Sequence, residues 1–189
     1  MKKMTLRARV LTGAVAAAVL GGTAFGAVAA NAAPSAPTGG SSTDSATAGA
    51  GAKGVFETKH LTVEAATMAA QEVLKAAKKD NQRVSVAVVD RNGNTIVSLR
   101  GDGAGPQSPE SAVRKAFTAV AWNAKTSDLV KRLEQAPNLK DIPNTLFLGG
   151  GVPVQLAGAP IAGIGVAGAP QATQDEAYAQ AGVDALNLK

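Results

Sequence analysis

Val84-Ser85-Val86-Ala87-Val88-Val89-Asp90-Arg91-Asn92-Gly93-Asn94-Thr95-Ile96-Val97-Ser98-Leu99 carries two β-rich runs around a polar turn. In the first run Val84, Val86 and Val88 alternate with Ser85, Ala87 and Val89. That period of two sends successive side chains to opposite faces of a sheet. Thr95–Leu99 is a second β-rich run. Between them Asn92-Gly93 supplies the positive φ that a tight turn requires. The stretch therefore reads as an antiparallel hairpin, the clearest one in the chain.

Toward the N-terminus the pattern changes to a helical one. Val63, Ala66, Ala70, Val73, Leu74 and Ala77 recur at helical spacing through Lys79. Thr62 stands where an N-cap belongs, and Glu64 in the first turn suits the helix dipole. Lys75, Lys78 and Lys79 at the far end suit it too, and read as a solvated terminus. The many alanines predict close packing on a sheet.

Toward the C-terminus a glycine-rich loop, Gly101–Gln107, leads to Ser108 as a cap, Pro109 at the first helical position and Glu110 behind it. That helix is expected to run to about Trp122. A shorter one starts at Ser127-Asp128 and ends near Gln135, before Pro137. Three β-rich segments follow: Thr145–Leu148, Val152–Leu156 and Ile161–Ala167, with turns at Gly149-Gly150-Gly151 and Gly158. Thr173-Gln174-Asp175-Glu176 fits the capping box of a last helix through about Leu186. The expectation is an α/β sandwich with a mainly antiparallel sheet of about five strands and flanking helices.

The first residues read as an export signal. Lys2, Lys3, Arg7 and Arg9 precede the uncharged stretch Val10–Leu20, and Ala30-Asn31-Ala32 offers a small-x-small cleavage pattern. Cleavage is expected before Ala33, which makes residues 1–32 a signal peptide and the mature protein secreted. Residues 33–54 are Ala, Gly, Ser, Thr and Pro with no hydrophobic period, and read as a disordered tether before one domain at 55–189. All four charges in residues 1–32 are positive, so processing lowers the net charge from +5 to +1. A nucleic-acid partner, which needs a basic face on the folded domain, is not expected.

With no cysteine, thiolate zinc, iron–sulfur and thiol chemistry are excluded. His60 is the one histidine, so a poly-histidine metal site within one chain is excluded as well. His60 can act as an axial ligand to a porphyrin iron or as one arm of a mixed metal site. Equally, it reads as an exposed histidine just before an N-cap. The glycine loops are not P-loops: Gly101-Asp102-Gly103-Ala104-Gly105 lacks a Gly-Lys-Ser/Thr ending and carries an acid, and Gly149–Gly151 leads into a strand. Ser108 and Ser111 have no Gly-x-Ser-x-Gly elbow around them. Ser111, Arg114, Lys115 and Thr118 share neighbouring faces of one helix, two cations beside two hydroxyls. Such a set can hold a carboxylate. It reads equally as an ordinary charged helix end.

Four stretches in order and spacing resemble the GlcG/HbpS family over about residues 58–187: Leu61–Ala66, Val84–Asn94, Ser111–Ala119 and Ile161–Gly168. The export signal and the Gly101–Ser108 loop are similar to its actinobacterial extracellular HbpS branch. The resemblance implies a profilin-like or PAS-like sandwich that assembles into a homo-oligomer, often an octamer. It implies haem as cofactor, with haem breakdown or redox sensing through a membrane sensor kinase. Lys115-Ala116-Phe117-Thr118-Ala119 matches the family's Lys-Ala-x-Thr-Ala pattern, which implies Thr118 as a haem-iron contact and Ser111, Arg114 and Lys115 as pocket wall. Relatives can carry an iron-linked Glu-x-x-Glu pair in the first helix; the matching stretch here is Lys75-Ala76-Ala77-Lys78, which cannot coordinate iron while protonated. Three functions follow as expectations: a haem binder, a slow oxidative haem degrader working through the bound iron, and a ligand-independent module for a membrane receptor.

Overall fold

The computed structural model describes residues 54–188. The expected signal peptide and tether lie, but for Gly54, outside the described residues.

Helix α1 (Val63–Lys79) starts as its sequence directs: Thr62 is extended, and its hydroxyl accepts from the Ala65 amide at 3.2 Å. Its buried stripe is Ala66, Ala69, Ala70, Val73 and Ala77. Asn81, at φ 56°, turns the chain into strand β1 (Ser85–Asp90), which pairs antiparallel with β2 (Thr95–Arg100). The hairpin turn is organised by one carboxylate. Asp90 Oδ1 accepts from the amides of Asn92 (2.8 Å) and Asn94 (2.9 Å), and Oδ2 from Asn94 Nδ2 (3.0 Å). Gly93 takes the positive φ, +88°.

Helix α2 (Ser108–Trp122) and helix α3 (Thr126–Val130) come next, and α3 tightens into a 3-10 turn over Lys131–Glu134. A further 3-10 turn, Pro137–Asp141, precedes β3 (Gly151–Leu156), β4 (Ala159–Ala167) and α4 (Ala172–Ala185). The sheet order is β2-β1-β4-β3, antiparallel throughout.

Among the described residues the sheet has four strands, not about five. Thr145–Leu148, expected as a strand, is irregular because its backbone groups find partners on α2 instead of on a neighbouring strand. Arg114 Nη2 donates to the Thr145 carbonyl (2.9 Å), and the Leu146 amide donates to Thr118 Oγ1 (2.8 Å). Two caps also differ. Ser108 is the first residue of α2, not its cap; its buried hydroxyl donates to the Gly105 carbonyl and meets Ser85 Oγ at 2.8 Å. No side chain caps α4, which begins at Ala172 with Gln171 before it. Thr173–Glu176 is therefore not a capping box.

The sheet lies between two helical layers. Val86 and Val88 of β1, with Ile164 and Val166 of β4, face α1 and α4 in the main core. All four valines and isoleucines are fully buried, each worth about 1.5–3 kcal/mol over exposure. The alternate residues Ala87 and Val89 face α2. Glycines bring α2 close. A Cβ on Gly151, Gly163 or Gly165 would collide with the carbonyls of Lys115, Ala116 and Ala112 respectively. The helix backbone thus rests almost on the strand backbone, with Ala112, Ala116 and Ala119 fully buried between them.

Candidate functional site

Contact with the sheet divides α2 into a buried face and an open one, and this separates the four residues expected to act together. Lys115 faces inward. Its ammonium donates to Asp175 Oδ2 and to the Val166 carbonyl, both at 2.9 Å, and the two side chains are 2% and 4% exposed. Asp175 Oδ1 also accepts from the Ala169 amide at 3.0 Å. Burial pushes the Asp175 carboxyl up, against the opposing pull of Lys115 and of the Ala169 and Gly168 amides. Lys115 therefore clamps α2 to β4 and α4 and does not stand in a pocket wall.

Thr118 is fully buried. Its hydroxyl donates to the Arg114 carbonyl (2.8 Å) and accepts from the Leu146 amide (2.8 Å). Arg114, one turn earlier and partly exposed, reaches the adjacent Thr145 carbonyl and lies 3.9 Å from Glu110. Together the two side chains tie the Thr145–Leu148 strap to α2. Phe147 adds an edge-on contact to Trp122, ring centres 5.3 Å apart. Ser111 is partly buried.

On the open side of α2 is a pocket of about 400 Å³ lined by Gly93, Glu110, Val113, Arg114, Phe117 and Asn144. Phe117 closes over the hairpin turn so tightly that a Cβ on Gly93 would lie 2.5 Å from its ring. The pocket thus offers an aromatic and an aliphatic wall, one guanidinium and one carboxylate. Of the expected residues only Arg114 lines it. His60 is exposed and meets Thr58 Oγ1 at 2.7 Å. It lies near the same hairpin: burial pushes Asp90 up, but hydrogen bonds from Asn94 and Asn92, with a contribution from the charge of His60, hold the carboxyl below its usual range.

Against this geometry, the family of haem-degrading HbpS-like proteins matches residues 61–184. The chain belongs to that family. The crystal structure of HbpS is similar at 66% identity and a TM-score of 0.71, covering 73% of this chain and 98% of that one. A Streptomyces reticuli HbpS variant with two glutamates changed to aspartate is 60% identical, TM-score 0.70, covering 83% of this chain and 99% of that one. The crystal structure of a PduOC–haem complex is 26% identical, TM-score 0.64, covering 69% of this chain and 98% of that one.

Within this HbpS-like domain, Lys75 is exposed and forms a surface ion pair with Glu72 at 3.2 Å. Among the described residues no three His, Asp or Glu side chains gather to hold a metal ion. Sequence reasoning missed Val113 and Phe117 as pocket walls, although their four-residue spacing on one helix placed them together. It also missed Gly93 and Asn144, which only the folded chain brings to α2. Asp175 was read as a cap because its partner lies 60 residues away.

Proposed function

We propose that this chain is an extracellular haem-binding protein whose macrocycle lies on the open side of α2. The observation that carries the reading is the pocket itself: Phe117 and Val113 beside the Arg114 guanidinium, in an HbpS-like domain. A flat apolar ring with carboxylate arms needs that combination, an aromatic wall for the ring and a fork of donors for a propionate. The residues therefore fit the group. The pocket is an open depression and covers one side of it. The similarity to a PduOC–haem complex supports the reading.

In this reading Phe117 and Val113 would seat the ring, and Arg114, which the Thr145 carbonyl anchors beside exposed Glu110, would take a propionate. Bound haem would supply redox-active iron, the chemistry behind oxidative breakdown or redox sensing. Thr118 would be an iron contact only if its hydroxyl were released from the Leu146 amide and the Arg114 carbonyl. His60, exposed and bonded to Thr58, would be the alternative iron contact. The basic and apolar start of the chain supports export with cleavage before Ala33. Assembly into a homo-oligomer and signalling through a membrane sensor kinase complete the proposal.

The test is a haemin titration of residues 33–189 read by absorbance. A saturable, shifted Soret band that weakens in Phe117→Ala and Arg114→Gln is expected, with Thr118→Val and His60→Ala separating the two iron contacts. A spectrum equal to that of haemin with an unrelated protein overturns the haem reading and leaves the receptor-interaction module in its place.

A further inference from the structure

The glycine loop that fails as a phosphate cradle has another use in the fold. A second pocket, of about 450 Å³, opens at the end of the sheet opposite the hairpin turn, between the C-terminal end of α1 and residues 101–102. Leu74, Ala77 and Val84 give it an apolar floor, and Lys78, Arg83 and Arg100 stand around it. Among the described residues none of these three cations forms an ion pair with a carboxylate.

The loop fixes Arg100 and packs alongside Arg83. Arg100 donates from Nε and Nη2 to the Ala104 carbonyl. Arg83 lies along Gly103, where a Cβ would come 2.9 Å from its Cδ and 3.3 Å from its Nε; Gly103 sits at φ +75°. Gly101 presses on the Val84 carbonyl, where a Cβ would lie at 2.7 Å, and that contact builds the floor. Arg100 is therefore fixed at the rim, and three cations against the single carboxylate of Asp102 leave a net positive rim that favours an anion between them.

We propose that this pocket binds a small organic monocarboxylate with an apolar body, at a site separate from the α2 pocket. The carboxylate would be held by Arg83 and Arg100 with Lys78 nearby, and the hydrocarbon body would lie against the partly open Leu74 side chain, over the buried Ala77 and Val84. Asp102 on the same rim disfavours a multiply charged phosphate. The loop amides do not form a phosphate nest either: Gly101 N donates to the Val84 carbonyl (2.9 Å) and Ala104 N to the Gly101 carbonyl (3.0 Å).

The test uses the whole chain and octanoate as probe, with 1-octanol as the neutral analogue, followed by calorimetry and ligand-observed NMR. Saturable octanoate binding is expected, weakened about tenfold in the Lys78→Gln/Arg83→Gln double variant, as removal of charge-assisted hydrogen bonds predicts. Arg114→Gln should leave the octanoate affinity unchanged, and a matching circular dichroism melt of each variant keeps folding out of the comparison. No saturation up to about 10 mM, beyond which affinity falls below a useful scale, overturns the proposal. So does equal binding of octanol, or a loss of binding in Arg114→Gln with none in the double variant.

Discussion

Tyr178 is the chain's one tyrosine, so its ionisation can be read without interference from another phenol. It is 5% exposed, and its hydroxyl donates to Asp80 Oδ2 at 2.8 Å. Burial, then the hydrogen bond and charge of Asp80, push the phenol up to about 12. The folded value exceeds the unfolded one, near 10, so this contribution to stability is complete below about pH 10 and disappears as pH rises through about 12. An absorbance titration of tyrosinate should find the high midpoint, and Asp80→Asn should lower it while burial keeps it above the free value. The Lys115–Asp175 pair makes a second prediction. Lys115→Met strands a buried carboxylate, a change that costs about 3–5 kcal/mol in other folds. Urea denaturation should show that loss, and Lys115→Met combined with Asp175→Leu should recover most of it, because the pair's desolvation cost is then also removed.

The elements are legible to different degrees because they depend on partners at different distances along the chain. The β1–β2 hairpin and the start of α1 are written locally: Asp90, Asn92, Gly93 and Asn94 make the turn among themselves, and Thr62 caps an amide three residues on. Thr145–Leu148 has the composition of a strand, yet Arg114 and Thr118, 31 and 28 residues before their partners, take its backbone groups. Composition cannot register that competition. The seat of α2 is a further consequence of contact between elements. Gly165→Ala would drive a methyl into the Ala112 carbonyl, and neither backbone can yield without shifting helix or strand. A loss of about 1–3 kcal/mol or more is expected, read as a lowered melting temperature, with the α2 pocket loosened in parallel.

At the scale of the whole molecule, Leu61, 9% exposed, is the first residue of the main core. Among the described residues no backbone hydrogen bond ties residues 54–61 to the rest, and Phe56 is 82% exposed. Brief trypsin digestion should therefore trim the chain at Lys59 and stop, leaving a fragment from His60 onward with an unchanged melt; mass spectrometry checks the cut. The sequence by itself determined the α/β class, the hairpin, the first two helices and the exclusion of thiol and poly-histidine chemistry, since period, turn residues and absent residue types need no tertiary contact. Only the tertiary structure decided that the sheet stops at four strands and that Lys115 and Thr118 turn inward while Arg114 stays open. It alone placed Gly93 and Asn144 beside Val113 and Phe117 to make a pocket. Those outcomes depend on which buried donors and acceptors meet across tens of residues, and on how closely glycine lets a helix approach a sheet.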